Sequence, residues 1–162
     1  MKVLVMYFSQ TGNTAQLAEV IARGVKEIDE VECVLKPLSE VTREDLLAAD
    51  GIIAGTPVYF GTMAAQLKAF FENSVDICGQ MSGKIGAAFV TGGHHSDGKE
   101  TTILSIIQAF LIYGMIVVGN SIDAGGHYGV ACMDAPDVKA VKEGVKLGRR
   151  VALLVKALNQ QL

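Results

Sequence analysis

Short apolar runs and amphipathic stretches take turns along the whole chain, a pattern that belongs to a parallel sheet covered by helices. Lys2-Val3-Leu4-Val5-Met6-Tyr7-Phe8 is nearly continuous, β-rich and apolar, as a strand buried on both faces reads. Polar Ser9 to Thr14 follows. Ala18, Ile21, Val25 and Ile28 then recur at helical spacing, with Glu19, Arg23 and Lys26 elsewhere around the helix. Asn13 with Gln16 resembles a capping box, which predicts the helix start there. Further strands are predicted at Val31–Leu35, Gly51–Thr56, Lys84–Thr91 and Met115–Gly119. Helices are predicted at Thr42–Ala49, Ala64–Glu72 and Thr101–Leu111. Pro136 opens a last helix to about Asn159, with Leu147, Val151, Leu154 and Leu158 as its apolar stripe. The expected fold class is α/β, a doubly wound five-stranded parallel sheet with helices on both faces and right-handed crossovers.

The length of 162 residues suits one domain, 1–162, and a 50% hydrophobic content can fill its core and excludes disorder. A net charge of -3 leaves no basic excess for a phosphate backbone, so no nucleic-acid partner is expected. Three cysteines without C-x-x-C spacing point away from disulfides and zinc, and toward a reducing compartment; Cys78 and Cys132 fall in loop-like stretches. The first apolar run has six residues and the longest, Ala109 to Gly119, has 11. A bilayer span needs about 20, so no membrane insertion and a cytoplasmic location are expected.

In such sheets ligands bind beyond the carboxyl ends of the strands, where strand order reverses. Three loops fall there. Ser9-Gln10-Thr11-Gly12-Asn13-Thr14 stands at a helix N-terminus, offers hydroxyl and amide donors and contains no cation. It reads either as a phosphate cradle or as plain helix capping, and it matches neither the P-loop nor the G-x-G-x-x-G fingerprint. Thr56-Pro57-Val58-Tyr59-Phe60-Gly61-Thr62 offers aromatic surface for a flat ring, or simply packs on the sheet. Thr91-Gly92-Gly93-His94-His95-Ser96-Asp97-Gly98 could present backbone N–H groups to ring carbonyls, with both histidines either at the site or merely in solvent. His127, in Gly125-Gly126-His127-Tyr128-Gly129, is a further candidate for the site border. No metal constellation is expected.

Taken together these segments resemble the flavodoxin-like FMN proteins. "YFSQTGNTAQLAEVIARGV" is similar to their phosphate-loop unit, "ADGIIAGTPVYFGTMAAQLKAFFE" to their second flavin loop, and "GKIGAAFVTGGHHSDGKETTILSIIQAFLIYGMIVVG" to their third. "GTPVYFGTM", "GKETTI" and "YGMIVVG" are most similar to the NAD(P)H:quinone oxidoreductases of the Trp-repressor-binding-protein type. The resemblance implies strand order 2-1-3-4-5 and FMN as cofactor. It implies that Ser9, Gln10, Thr11, Gly12, Asn13 and Thr14 bind the 5′-phosphate. Thr56, Pro57, Val58, Tyr59, Phe60 and Gly61 would line the isoalloxazine, with Thr91, Gly92, Gly93 and His94 at its pyrimidine edge and His95 at the border. Tyr113 occupies the position of an oxidoreductase histidine that reaches a neighbouring subunit's flavin. The segment Lys36 to Asp50 is shorter than the one that helps build the oxidoreductase tetramer, so that tetramer does not carry over to whatever homo-oligomer forms.

The expected activity is FMN-dependent transfer of electrons from NADH or NADPH to a quinone or similar small acceptor. The chemistry would lie at flavin N5, with no side-chain nucleophile. The rival expectation is a flavodoxin-type one-electron carrier between protein partners. A phospho-acceptor receiver domain is a third, but Ser9-Gln10 and Thr56 stand where it needs acidic residues.

Overall fold

The structure is a computed structural model and describes residues 1–160. Strand β1 (Lys2–Tyr7) leads into α1 (Asn13–Lys26), β2 (Glu32–Pro37), α2 (Arg43–Ala48) and β3 (Gly51–Tyr59). A two-residue strand β4 (Thr62–Met63) precedes α3 (Ala65–Asn73), then β5 (Ile85–Gly92) and α4 (Lys99–Ile112). Then follow β6 (Ile116–Val117), β7 (Val130–Met133) and α5 (Val138–Asn159). The parallel strands lie in the order β2-β1-β3-β5-β6, which is the expected 2-1-3-4-5 counted along the sheet.

Two short strands depart from the expected five. β4 folds back antiparallel on the end of β3, pairing Val58 with Met63 and Tyr59 with Thr62. The fifth position is filled by two pieces: β6 pairs with Ile85 and Gly86, and β7 pairs with Phe89 to Gly92. Cys132, expected in a loop, therefore lies in the sheet. Runs of two and four residues carry too little periodicity to mark a strand.

The sheet divides the core in two. On one face Val3, Val5, Ile53 and Phe89 meet Leu17, Ile21 and Val25 of α1 and Leu147, Val151 and Val155 of α5. Here α1 and α5 touch backbone to backbone, because a Cβ on Gly24 would lie 2.0 Å from the Val145 carbonyl oxygen. The α5 stripe thus runs through Val155; Leu154 is only partly buried and Leu158 is exposed. On the other face Leu4, Met6, Ile52 and Val90 meet Leu46 of α2, Leu67 and Phe71 of α3, and Ile106 and Phe110 of α4. No helix among the described residues is long and apolar enough to cross a membrane.

Candidate functional site

Parallel pairing brings the carboxyl ends of β1, β3 and β5 to one rim. Tyr7 pairs with Gly55, and Pro57 with Thr91, so the loops that follow these strands start side by side. Hydrogen bonds then tie the loops together. The Thr14 and Thr91 hydroxyls lie 2.8 Å apart in a buried contact between the first and third loops. The Tyr59 hydroxyl donates to Gln10 Oε1 at 2.6 Å, between the second and first. The Thr101 hydroxyl donates to the Gly61 carbonyl at 2.8 Å, between the start of α4 and the second.

The N-terminus of α1 departs from the capping-box expectation. Gly12 is the N-cap, at φ 97, and no side chain caps the helix. Asn13 lies one residue too far into the helix to cap it. Ser9 instead accepts the Gly12 N–H at 3.2 Å. The N–H groups of Asn13, Thr14 and Ala15 consequently have no acceptor among the described residues. Three free donors stand at the positive end of a helix, beside the exposed Thr11 hydroxyl, an arrangement that suits an anion without a cation.

The β3–β4 hairpin supplies the aromatic wall. Both residues at its tip have positive φ, Phe60 at 50 and Gly61 at 76, as a tight primed turn requires. Phe60 is fully exposed and holds a backbone region that a bulky residue disfavours. Thr56 is completely buried: its hydroxyl accepts the Ala64 N–H and donates to the Pro57 carbonyl, each at 3.0 Å, closing the hairpin base. Its side chain therefore shapes the wall from behind.

The third loop is fixed by an ion pair that reasoning from the sequence missed. Asp97 and Lys99 lie 2.8 Å apart, with side chains only 12% and 14% exposed. Asp97 Oδ2 accepts the His94 N–H at 3.1 Å, and Lys99 donates to the His94 and His95 carbonyls. A Cβ on Gly92 would lie 1.9 Å from that same Oδ2, so only glycine admits the carboxylate. Burial pushes the Asp97 carboxyl up, but the Lys99 and His94 hydrogen bonds outweigh it and hold it below the ordinary carboxylate range. The His94 N–H is thus committed within the loop, whereas the Gly93 N–H has no acceptor among the described residues, and a Cβ at Gly93 would meet nothing within 4 Å. The sequence signal was Asp-Gly-Lys between a glycine-rich loop and a helix.

His94, His95 and His127 are exposed. Tyr113 lies at the opposite, amino-terminal end of the sheet, where its hydroxyl donates to the Phe71 carbonyl at 2.8 Å. Within one chain it borders nothing at the rim. Burial pushes its phenol up to about 12. A fourth segment reaches the rim unannounced: Asp134, just past β7, has φ 56 and donates its N–H to the Gly92 carbonyl at 2.7 Å. No group of three or more metal-ligating side chains occurs among the described residues. Donors for an anion at one end, with an aromatic and glycine-lined shelf beside them, fit the phosphate and flat ring of a flavin mononucleotide.

Comparison with known proteins decides the family. The family model described as NADPH-dependent FMN reductase matches residues 28–128. The chain belongs to this family. It is a flavodoxin-like FMN protein, as its loop motifs indicated. It is 36% identical over 157 residues to a flavodoxin of Aquifex aeolicus (strain VF5), covering 93% of this chain and 85% of that protein. It is 34% identical over 145 residues to an NAD(P)H dehydrogenase (quinone) of Syntrophus aciditrophicus (strain SB), covering 74% and 71%. Its fold superposes with a TM-score of 0.83 on a flavodoxin, WrbA-like protein from Agrobacterium tumefaciens, at 22% identity over 96% of this chain and 98% of that one. FMN is the cofactor of this FMN reductase family and NAD(P)H its reductant.

Proposed function

We propose that this chain is a single FMN-binding domain that passes electrons from NADH or NADPH to a quinone or similar small acceptor in the cytoplasm. The uncapped start of α1, cross-linked to two further loops at one rim, carries the reading. The N–H groups of Asn13, Thr14 and Ala15, with the hydroxyls of Ser9 and Thr11, would hold the phosphate. Each hydrogen bond to a charged group contributes roughly 1.5–3 kcal/mol. The helix dipole adds roughly 0.3–1 kcal/mol, so the donors decide affinity and no lysine is needed. Pro57, Val58, Tyr59, Phe60 and Gly61 would flank the ring. The Gly93 N–H would meet its pyrimidine edge and favour negative charge there.

Bound FMN supplies the relay between two half-reactions. NAD(P)H gives up a hydride, two electrons with one proton, and becomes NAD(P)+. A quinone takes two electrons and two protons, the second proton coming from solvent, and becomes the hydroquinone.

A carrier role between proteins is the second reading, supported by the name of the Aquifex relative. A net charge of -3 gives little acidic surface for steering a protein partner. Anaerobic mixing of the FMN-loaded protein with NADH and with NADPH separates the two. Rapid bleaching of the flavin band by either nucleotide, then recovery on adding a quinone, is expected. Bleaching by neither would leave the carrier role in its place.

A further inference from the structure

A second recess adjoins this rim. It encloses about 280 Å3 between the first turns of α4, the Gly125–Gly129 turn and the start of α5. Lys99, which holds the third loop through Asp97 and two backbone carbonyls, also lines it, so recess and rim share a wall.

Among the described residues two buried acceptors lack donors, Glu143 in the lining of the recess and Asn120 beside it. Glu143 lines the recess with its side chain 5% exposed, and its Oε1 accepts no hydrogen bond; the Lys139 ammonium is 3.7 Å away. Asn120 is buried, and its Oδ1 is also without a partner. Both lie under the Gly125–Gly126 turn. A Cβ on Gly125 would stand 3.2 Å from Glu143 Oε1, and one on Gly126 would stand 2.9 Å from Asn120 Nδ2. A buried carboxylate oxygen without a donor destabilises the fold, and an apolar side chain would avoid that cost. The cost is offset when something from outside brings hydroxyl or amine donors.

The mouth of the recess limits what that something is. Lys139 is largely exposed there and offers a positive charge; His127 offers a ring N–H, and Tyr128 a half-exposed aromatic face. An acceptor floor, the exposed Lys139 ammonium and an aromatic wall complement the hydroxyls, phosphate and base of a ribonucleotide, with Glu100 as the exposed carboxylate of the lining. We infer that the recess takes the adenosine diphosphate part of the pyridine nucleotide, with Glu143 accepting from ribose hydroxyls as the Gly125–Gly126 turn lifts. The inference rests on the reading that NAD(P)H is the reductant, and it adds a preference. A carboxylate at the ribose repels a 2′-phosphate, and no arginine lines the recess to hold one. The recess therefore favours NADH over NADPH, against the description of the family.

The test is calorimetric titration of the FMN-loaded protein with ADP-ribose and with its 2′-phosphorylated counterpart, without turnover. ADP-ribose is expected to bind at least tenfold more tightly than the phosphorylated form. Glu143→Gln should narrow that ratio to within about threefold. Because Glu143 is buried, the exposed variants Tyr128→Ala and Lys139→Glu serve as controls, each weakening ADP-ribose about tenfold with an unchanged circular dichroism spectrum. No binding of either compound up to millimolar concentration, equal binding of the two, or indifference to both surface variants overturns the assignment. Flavin bleaching by NADH is measured separately. Bleaching without ADP-ribose binding sinks the recess and leaves the oxidoreductase, whereas binding without bleaching supports the recess and sinks the oxidoreductase.

Discussion

Asp97 shows how one side chain can set the shape of a ligand loop. Its carboxylate is inserted against Gly92, receives the His94 N–H and pairs with Lys99, all with little solvent. Removing one partner of a buried pair leaves the other charge uncompensated, at about 3 kcal/mol or more. Asp97→Asn should therefore lower stability by ~3 kcal/mol in urea titrations and weaken FMN binding, whereas Asp123→Asn, on the exposed surface, should change neither. The folded carboxyl lies below its ordinary value, so its contribution is full above the unfolded value of about 3.9 and is lost as pH falls through the folded value. Unfolding measured below pH ~4 should show this acid-dependent part in the wild type and not in Asp97→Asn. Cys132 behaves in the opposite sense. Burial, with Asp137 and Asp134 nearby, pushes its thiol up to about 11. It should stay unalkylated by iodoacetamide at pH ~8 while the protein is folded, and react once urea unfolds it.

Among the elements, the β3–β4 hairpin sets function against stability. Phe60 at φ 50 occupies a position where asparagine before glycine is favoured. Phe60→Asn should raise stability by about 0.5–1 kcal/mol in thermal melts and reduce the rate of flavin bleaching by nucleotide; a variant as active as the wild type would remove Phe60 from the site. The long elements were legible in the sequence because their periods were. Val3 to Met6 announced a fully buried strand, and Ala18, Ile21 and Val25 an inward helix face. What was not legible depends on partners distant in sequence. The capping box at Asn13 failed because Gly12 takes the cap in the left-handed region, a tertiary choice that leaves the anion donors free. The Thr14–Thr91 contact joins residues 77 apart, and the Asp97 clamp needs the absent Cβ of Gly92. The pair β6 and β7 is recognisable only against the edge of β5.

Viewed as a whole, the molecule concentrates its polar loops at one rim and its apolar contacts on both sheet faces, so ligand binding should couple to global stability. At 100 times its dissociation constant, FMN should raise unfolding free energy by about 2.7 kcal/mol, with the melting temperature climbing as FMN is added. At the rim the proposed phosphate contact is made by backbone N–H groups at the uncapped start of α1, with no cation. Parallel titration of the cofactor-free protein with FMN and with riboflavin, which lacks only the phosphate, tests it most directly. Three charge-assisted hydrogen bonds at roughly 1.5–3 kcal/mol each predict FMN tighter by at least about a thousandfold. Gly12→Ala, strained at φ 97, should erode that advantage and leave riboflavin affinity unchanged. Equal affinity for the two flavins would contradict the account.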